Sequence, residues 1–236
     1  MKDQFSGFPK QTLKFLAALK ANNDREWFKA HREEYERWVL APARAYTTAM
    51  GERLHETFPE IHAIPMVDKS IFRMHRDTRF SQDKRPFKTH IGIFLWEGDD
   101  DKLECPGFYL HLEKDKLMLG GGIHIFSKPL IECFRAAVDD DKLGKRLARI
   151  AANGIRDFGE DMDTDLYKRV PRGYPQDHPR AGLLKKKGMT LGGTVPVPEA
   201  LHTEAAVDYV YERFEKIFPL HRWLLEMKAV YADPNR

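Results

Sequence analysis

One stretch of the sequence concentrates side chains that could bind an anion. Residues 73–94, RMHRDTRFSQDKRPFKTHIGIF, carry six Lys/Arg and two His beside two Asp. Guanidinium groups are planar and permanently charged, and they can hold phosphate or carboxylate through paired hydrogen bonds. We therefore expect anion binding here, by Arg73, Arg76, Arg79, Lys84 and Lys88.

Three side chains near these cations could transfer protons, namely Asp77, His90 and His111. Asp77 lies among the arginines, where it could act as a general base or orient a guanidinium group, and the orienting role is the stronger of the two. His90 and His111 fall on predicted strands, where they could hydrogen-bond a ligand, stack on it or exchange a proton with it. These three residues are the candidate catalytic groups.

A second basic stretch, residues 168–187, carries seven Lys/Arg against one Asp and includes Arg172. The net charge of the whole chain is only +3, so its cations are concentrated in these two stretches while its acidic residues collect elsewhere. Solvated surface is the alternative interpretation of either stretch taken alone. We add Arg172 to the expected ligand-binding residues.

The composition is that of a soluble protein with one substantial core. The 236 residues are 42% hydrophobic and 32% charged, with a mean hydropathy of −0.57, which predicts one domain over residues 1–236. No apolar run is long enough to span a membrane, and the first residues lack the apolar core of a signal peptide. Two cysteines are too few for a disulfide framework. We expect a cytoplasmic protein without a membrane partner, and nothing in the sequence indicates its oligomeric state.

The spacing of apolar residues divides this predicted domain into five parts. They are a helical segment 9–58, an antiparallel sheet over about 70–126, helices over 128–153, a basic loop region 155–197 and C-terminal helices over 198–231. Asn23 is expected to cap the second helix of the first part, and Asn153 with Gly154 to end the helices of the third. This order favours an α+β fold in which helices from the N- and C-terminal parts cover one face of the sheet.

The sheet is predicted to contain an alternating strand followed by a hairpin. Residues 89–95 alternate between apolar and other side chains, which indicates a strand with one apolar face. The segments GFYLHLE and KLMLGGGIHIF are separated only by Lys114 and Asp115, so a tight turn should join them. Glu113 should then pair with Lys116.

This register separates a core face from a polar face. Tyr109 and His111 share the polar face with the glycine run 120–122, while the core face carries Phe108, Leu110 and Leu112. Glycines within a strand mark either a bulge or the close approach of another group. We expect Tyr109 to line a ligand pocket at this face, with glycine as its floor or packed beneath the tyrosine ring.

The histidines of the polar face also raise the possibility of a metal site. His90, His111 and His124 could fall on one face, but no local ligand spacing such as HExxH supports three-ligand coordination. The glycine run is not followed by the residues of a nucleotide-binding loop. We therefore expect neither a metal nor a cofactor.

Several long segments together resemble one protein family. They are NNDREWF near the start, RDTRFSQDKRPFKTH in the middle, GFYLHL with the following GGG, and KRVPRGYPQDHP with LLKKKG. This pattern is similar to domain of unknown function 2461 over roughly residues 5–215. The resemblance implies that both basic stretches belong to one architecture, and it brings no reaction, cofactor or catalytic residue. We infer that the two stretches meet in space.

Three hypotheses for function remain open. The favoured one is a protein, with or without enzymatic activity, that binds a small phosphorylated or carboxylated molecule in a basic, glycine-lined pocket. A nucleic-acid-binding module is the alternative, with Tyr109, Phe94 or Trp96 stacking on bases, although a pI near 8.7 is low for such a module. In a protein-interaction scaffold, the third hypothesis, the arginines would pair with acidic loops.

Overall fold

The computed structural model describes residues 5–159 and 166–231. Helices before the sheet are α1 Lys10–Ala21, α2 Arg25–Ala30, α3 Arg32–Tyr35, a π-helical turn Glu36–Leu40, and α4 Ala41–His55. Helices after the first four strands are α5 Lys128–Asp139, α6 Asp141–Phe158, α7 Ala181–Leu184, α8 Ala206–Glu215 and α9 Phe218–Tyr231. None of the helices in the described ranges is long and apolar enough to cross a bilayer.

The strands form one open antiparallel sheet. They are β1 Ile61–His62, β2 Ile91–Glu97, β3 Gly107–Leu112, β4 Lys116–Ile123 and β5 Met189–Pro196, in the spatial order β1-β2-β3-β4-β5. Helices precede and follow this sheet, so the fold is α+β, as the sequence predicts.

The predicted hairpin and its register are confirmed. The Glu113 amide donates to the Lys116 carbonyl at 2.9 Å across the turn between β3 and β4. Along β3 the exposure alternates, with Tyr109 and His111 half-buried between the buried residues Phe108, Leu110 and Leu112. The hairpin therefore has the core face and the polar face that the sequence indicates.

Strand β2 differs from the prediction of one apolar face. Residues 91–96 are all buried, and Phe94 and Trp96 are each only 8% exposed. Residues before the strand also hydrogen-bond along it, since the Phe94 amide donates to the Ser70 carbonyl and the Phe72 amide to the Gly92 carbonyl. Phe94 and Trp96 are therefore not accessible for stacking on bases.

Several helix ends also differ from the predicted ones. Helix α6 continues past Gly154 to Phe158 and ends at Gly159, whose φ of 80° is a conformation that glycine adopts without strain. Gly154 is buried inside the helix because Leu191 occupies the space where its side chain would lie. In the predicted basic loop region 155–197, residues 160–165 lie outside the described residues, and the region contains helix α7 and strand β5.

The chain groups into two compact units. The first unit consists of Met1–Leu95, Tyr109–Leu119 and Thr194–Glu212. The second unit consists of Trp96–Phe108, Gly120–Gly193 and Arg213–Arg236. A single domain over residues 1–236 stays a prediction.

Phe108 is central to the core of the second unit. Its ring packs 5.1 Å from that of Phe214, 5.5 Å from that of Phe218 and 4.7 Å from that of His221. The imidazole of His221 has no exposed surface and lies 2.7 Å from a carboxylate oxygen of Glu97. A C-terminal helix thus covers the core face of β3 at this end of the strand.

The glycine run of β4 makes close backbone contacts in the second unit. A Cβ at Gly121 would lie 2.7 Å from the Gly107 carbonyl oxygen, and one at Gly122 would clash with the carbonyl oxygen of Met189. Gly122 also has a φ of 129°. Of the two explanations for strand glycines, close approach of a neighbouring group applies at both positions.

Replacing Gly122 with alanine should therefore strain both the backbone and the packing against β5. We expect the Gly122→Ala protein to lose roughly 2–5 kcal/mol of unfolding free energy, measured by urea denaturation. Gly182→Ala is the matched control because open space surrounds Gly182 in α7. Equal midpoints for the two variants would contradict this assignment.

Candidate functional site

Residues 73–88 form a two-stranded antiparallel segment, which we name the basic arm. His75 and Phe87 make a bridge between its two sides. The Arg76 amide donates to the Pro86 carbonyl at 2.9 Å, and the Lys88 amide donates to the Met74 carbonyl at 2.7 Å. The predicted ligand-binding residues of the first basic stretch thus lie on one hydrogen-bonded structure.

The side chain of Asn23 holds the base of this arm. Its amide group donates to the Phe87 carbonyl at 3.0 Å, and its amide oxygen accepts from the Phe87 amide at 3.0 Å. The Phe87 ring also stacks on Phe28, with ring centroids 4.2 Å apart. Asn23 is consequently not the cap of α2, which is Asp24, whose carboxylate accepts from the Trp27 amide at 2.8 Å.

Near the tip of the arm, Asp77 binds Arg79 through a bidentate pair of hydrogen bonds. The Asp77 oxygens accept from Nε of Arg79 at 3.0 Å and from Nη2 at 2.6 Å. These hydrogen bonds lower the pKa of Asp77 to about 2, although both side chains are exposed. Asp77 is therefore ionised at neutral pH and orients an arginine.

Asp83 makes a second such pair on the other side of the arm. It accepts from Nε of Arg85 at 3.0 Å and from Nη2 at 2.7 Å, and it also accepts from Arg76 at 2.7 Å. The hydrogen bonds from Arg85 are the largest cause of a strongly lowered pKa for Asp83. Lys84 donates to the Thr78 carbonyl at 3.0 Å, so several cations of the arm already have partners within it.

Arg73 lies at the base of the arm and lines a cavity of about 200 Å³ in the first unit, which we name the arginine cavity. Among residues 5–159 and 166–231 Arg73 makes no hydrogen bond or ion pair, although its charge is one of the smaller causes that lower the pKa of Asp77. The cavity is lined by Phe28, Arg32, Tyr35, Glu36, Leu40, Arg44, Val67, Arg73, Met74 and His75.

The charges that line the arginine cavity are unbalanced. Three guanidinium groups, those of Arg32, Arg44 and Arg73, meet a single carboxylate, that of Glu36. Glu36 lies 2.6 Å from Nη2 of Arg32 and 3.9 Å from Nη1 of Arg44. The cavity therefore has a net positive charge that one further anion could offset.

Tyr35 also lines this cavity. Burial, and then the charge of Glu36, raises its pKa to about 12. The guanidinium of Arg32 lies 5.5 Å from the centre of the tyrosine ring. Tyr35 can therefore donate a hydrogen bond at any physiological pH.

Sequence analysis missed the helical side of this cavity. Phe28, Arg32, Glu36, Leu40 and Arg44 follow one another at intervals of four residues, and all of them line it. This regular spacing was the sequence feature from which the helical side of the cavity could have been predicted. The π-helical turn Glu36–Leu40 lies in the middle of this series. Such turns are rare in proteins, and those that occur are often found at functional sites.

A second group, the imidazole row, lies on the polar face of the sheet in the first unit. The rings of His90 and His111 stack with their centroids 3.9 Å apart. Nε2 of His111 lies 3.2 Å from a carboxylate oxygen of Glu113, and Nδ1 lies 3.3 Å from the hydroxyl of Tyr109. If Nε2–H donates to Glu113, Nδ1 accepts from Tyr109, so Tyr109, His111 and Glu113 form a continuous hydrogen-bonded chain beside His90.

Burial makes both imidazoles weak bases. It is the largest cause that lowers the pKa of His90 to about 3, and the nearby charges of His111 and Lys88 act in the same direction. Burial also lowers the pKa of His111, while the hydrogen bond to Glu113 opposes that shift. The pKa of Tyr109 is raised to about 12 by burial. At neutral pH His90 is therefore an uncharged hydrogen-bonding group.

Glycine and lysine shape the surroundings of the imidazole row. A Cβ at Gly92 would lie 2.8 Å from the Tyr109 hydroxyl, so this glycine makes room for the tyrosine. The rings of Phe72 and Tyr109 make an edge-to-face contact, with their centroids 5.9 Å apart. The ammonium of Lys88 lies 5.2 Å from the centre of the Phe72 ring. The glycine in contact with Tyr109 is thus Gly92 on β2, whereas the sequence predicts a glycine of the run 120–122.

Two other residues from the sequence analysis lie in the second unit. Arg172 is exposed on a turn between Pro171 and Gly173, and His124 is exposed just after β4. Within the described ranges, no group of three or more His, Cys, Asp or Glu side chains could hold a metal ion. The meeting of the two basic stretches stays a prediction.

The second unit contains a larger cavity of about 560 Å³ with the opposite charge. Its charged lining consists of Asp100, Glu104, Glu132 and Lys228, and Lys228 lies 2.7 Å from Asp100. Three carboxylates around one ammonium do not favour an anionic ligand.

Comparison with known proteins gives a family and no function. The model of the family described as conserved hypothetical protein (DUF2461) matches residues 11–223. The chain belongs to this family. No curated protein matches the chain, and no solved structure does.

The low pKa of His90 predicts a specific pH dependence of stability. Because the pKa of His90 in the folded state, about 3, lies below its ordinary value of 6.5, the unfolded chain binds more protons in this range. The His90 contribution to stability should be complete above pH 6.5 and decrease as the pH falls toward 3. NMR titration of the ring protons, assigned with His90→Asn, should show no His90 titration near pH 6.5. A midpoint near 6.5 would contradict this environment.

Removing the Asn23 side chain should loosen the base of the basic arm. Asn23→Ala leaves the amide and carbonyl of Phe87 without their partner, so we expect a loss of about 1–3 kcal/mol in unfolding free energy. Asn22→Ala is the matched control because the exposed Asn22 amide reaches only the Ala18 carbonyl within its own helix. Equal unfolding midpoints for the two variants would show that the two hydrogen bonds between Asn23 and Phe87 contribute nothing to stability.

Proposed function

We propose that this protein binds a small anion with a phosphate or carboxylate group in the arginine cavity. The convergence of Arg32, Arg44 and Arg73 on one cavity with a single carboxylate carries the proposal. Guanidinium groups favour such ligands because their planar N–H donors match two oxygens at once. Tyr35 adds a neutral donor that a bound oxyanion could accept from.

The size of the cavity favours a small ligand. Its volume of about 200 Å³ lies below the roughly 300–1,000 Å³ of pockets that enclose drug-sized molecules. It corresponds to the volume of about six or seven water molecules in the liquid. A phosphate or carboxylate head group fits these dimensions, whereas a whole nucleotide does not.

Among the cations expected to bind the ligand, Arg73 has the strongest support. Arg76 and Arg79 are held by Asp83 and Asp77, and Lys84 donates to a backbone carbonyl. Arg73 lines the cavity and lacks such a partner within the described part of the chain. An incoming anion therefore displaces no existing ion pair of Arg73.

Acid–base chemistry at the imidazole row is a second candidate function. The hydrogen-bonded order Tyr109, His111, Glu113 favours it, because a carboxylate that orients an imidazole also supports its protonated form. His111 is the better proton carrier of the pair, since Glu113 opposes the lowering of its pKa. His90 and Lys88 would then hydrogen-bond a substrate. Asp77 is too weak a base for this role because Arg79 lowers its pKa to about 2.

The anion proposal predicts stabilisation by inorganic phosphate. At about 100 times its dissociation constant, phosphate should add about 2.7 kcal/mol to the unfolding free energy, which is a shift of roughly 5–10 °C in the melting temperature. Arg73→Ala and Arg44→Ala should reduce that shift. Glu36→Gln should increase it, because this change removes the carboxylate that competes for Arg32 and Arg44.

Arg25→Ala is the charge-matched control, since Arg25 lies on α2 outside the cavity lining. It should respond to phosphate as the unmodified protein does, and succinate should replace phosphate if a carboxylate suffices. An equal phosphate response in the unmodified protein, Arg73→Ala and Arg44→Ala would disprove the proposal.

A further inference from the structure

The tip of the basic arm exposes an aromatic ring that packs on little of its own chain. Phe80 is 95% exposed, compared with 60% for Ile125 and 57% for Met66, two other exposed large hydrophobic residues. A single exposed apolar residue is common on protein surfaces and would by itself carry no function. The neighbouring guanidinium of Arg79 and the position of Phe80 on the basic arm distinguish it from the others.

Two arginines of the basic arm are held in fixed orientations while remaining exposed. Arg79 and Arg85 each bind an aspartate of the arm through Nε and one Nη2 hydrogen, and their side chains are 77% and 56% exposed. A guanidinium has five N–H donors, so each retains three that can meet a ligand. The guanidinium carbon of Arg79 lies 5.7 Å from the centre of the Phe80 ring.

Hydrogen bonds hold the base of the arm that carries these residues. One joins the two sides of the arm, between the Lys88 amide and the Met74 carbonyl, and two from the Asn23 side chain to Phe87 join the arm to the helical part of the first unit. At the tip, the Ser81 amide donates to the Thr78 carbonyl at 3.3 Å. Phe80 is therefore presented at the apex of a formed turn.

From this geometry we propose that the basic arm binds single-stranded nucleic acid, with Phe80 stacked on a base and Arg79 and Arg85 on the adjoining phosphates. Residues 73–88 carry six Lys/Arg against two Asp, a net charge of +4. Aromatic rings beside a basic track are the general means of binding a strand without sequence preference, because every base has a π-face and every nucleotide a phosphate.

The composition of the tip favours this partner over a protein surface. The cores of protein interfaces are depleted of charged residues and contain several apolar anchors. Here one ring lies beside Arg79, on an arm that carries five other Lys/Arg, and this is too little apolar surface for such a core. An unpaired base also suits Phe80 better than a duplex, since stacking on it requires no base pair to be opened.

This interaction is separate from the proposed anion binding. Phe80, Arg79 and Arg85 do not line the arginine cavity, and Arg73 is not needed for the stacking contact. Either proposal can therefore fail alone: Arg44→Ala should leave strand binding unchanged, and Phe80→Ala should leave the phosphate response unchanged.

Fluorescence anisotropy with a labelled oligo-dT strand of about 20 nucleotides tests the proposal, since this length exceeds the site size of common strand-binding folds. We expect saturable binding that weakens as salt is raised from about 50 to 200 mM. Phe80→Ala should weaken it roughly 5- to 150-fold, and Phe80→Trp should restore it. Arg79→Ala and Arg85→Ala should each reduce the slope of log affinity against log salt by about 0.7.

Leu103→Ala is the matched control because Leu103 is 56% exposed and lies outside the arm. Its affinity should equal that of the unmodified protein, and the melting temperature of Phe80→Ala should be unchanged because the ring is exposed. No binding at low salt, equal affinity for Phe80→Ala, or tighter binding to the corresponding duplex would each overturn the proposal.

Discussion

The packing of Phe87 against the N-terminal helices is the contact on which both proposals for the first unit depend. Asn23 satisfies both backbone groups of Phe87, and Phe28 stacks on its ring. The two sides of the basic arm are otherwise joined by the isolated bridge between His75 and Phe87 and by the backbone hydrogen bonds of Arg76 and Lys88. This one contact fixes the base of the arm, where Arg73, Met74 and His75 reach the arginine cavity.

The arm concentrates positive charge without losing its shape because its two aspartates are placed beside arginines. Asp77 and Asp83 each fix one guanidinium through paired hydrogen bonds, so the like charges are spread and oriented. Exposed ion pairs of this kind contribute little to stability. Their effect is to hold Arg79 and Arg85 at defined positions with donors still available for a ligand.

In the imidazole row, burial keeps a titratable side chain uncharged. His90 is kept neutral because the sheet face removes it from water, whereas the arginines of the cavity stay charged at the surface. The first unit thus offers permanent charge at one place and neutral hydrogen-bonding groups at another. Anion binding needs the former, and proton transfer needs the latter.

Local patterns determined much of this protein without help from tertiary structure. The α+β order, the hairpin turn at Lys114 and Asp115, and the half-buried positions of Tyr109 and His111 all follow from periodicity and turn residues that act over a few positions. The long motifs likewise sufficed to identify the family, whose model matches residues 11–223. The concentration of cations in residues 73–88 is visible directly in the sequence.

Only the tertiary structure decided which of those residues share a site. Arg32 and Arg44 meet Arg73 because helices and arm pack together, and Asn23 bonds Phe87 from 64 positions away rather than capping its own helix. Likewise, β2 is buried on both faces, although its sequence alternates as in a strand with one apolar face. Sequence periodicity describes how one element faces solvent, whereas long-range contacts depend on the free energy of packing elements that are distant in the chain, and no local pattern contains that information.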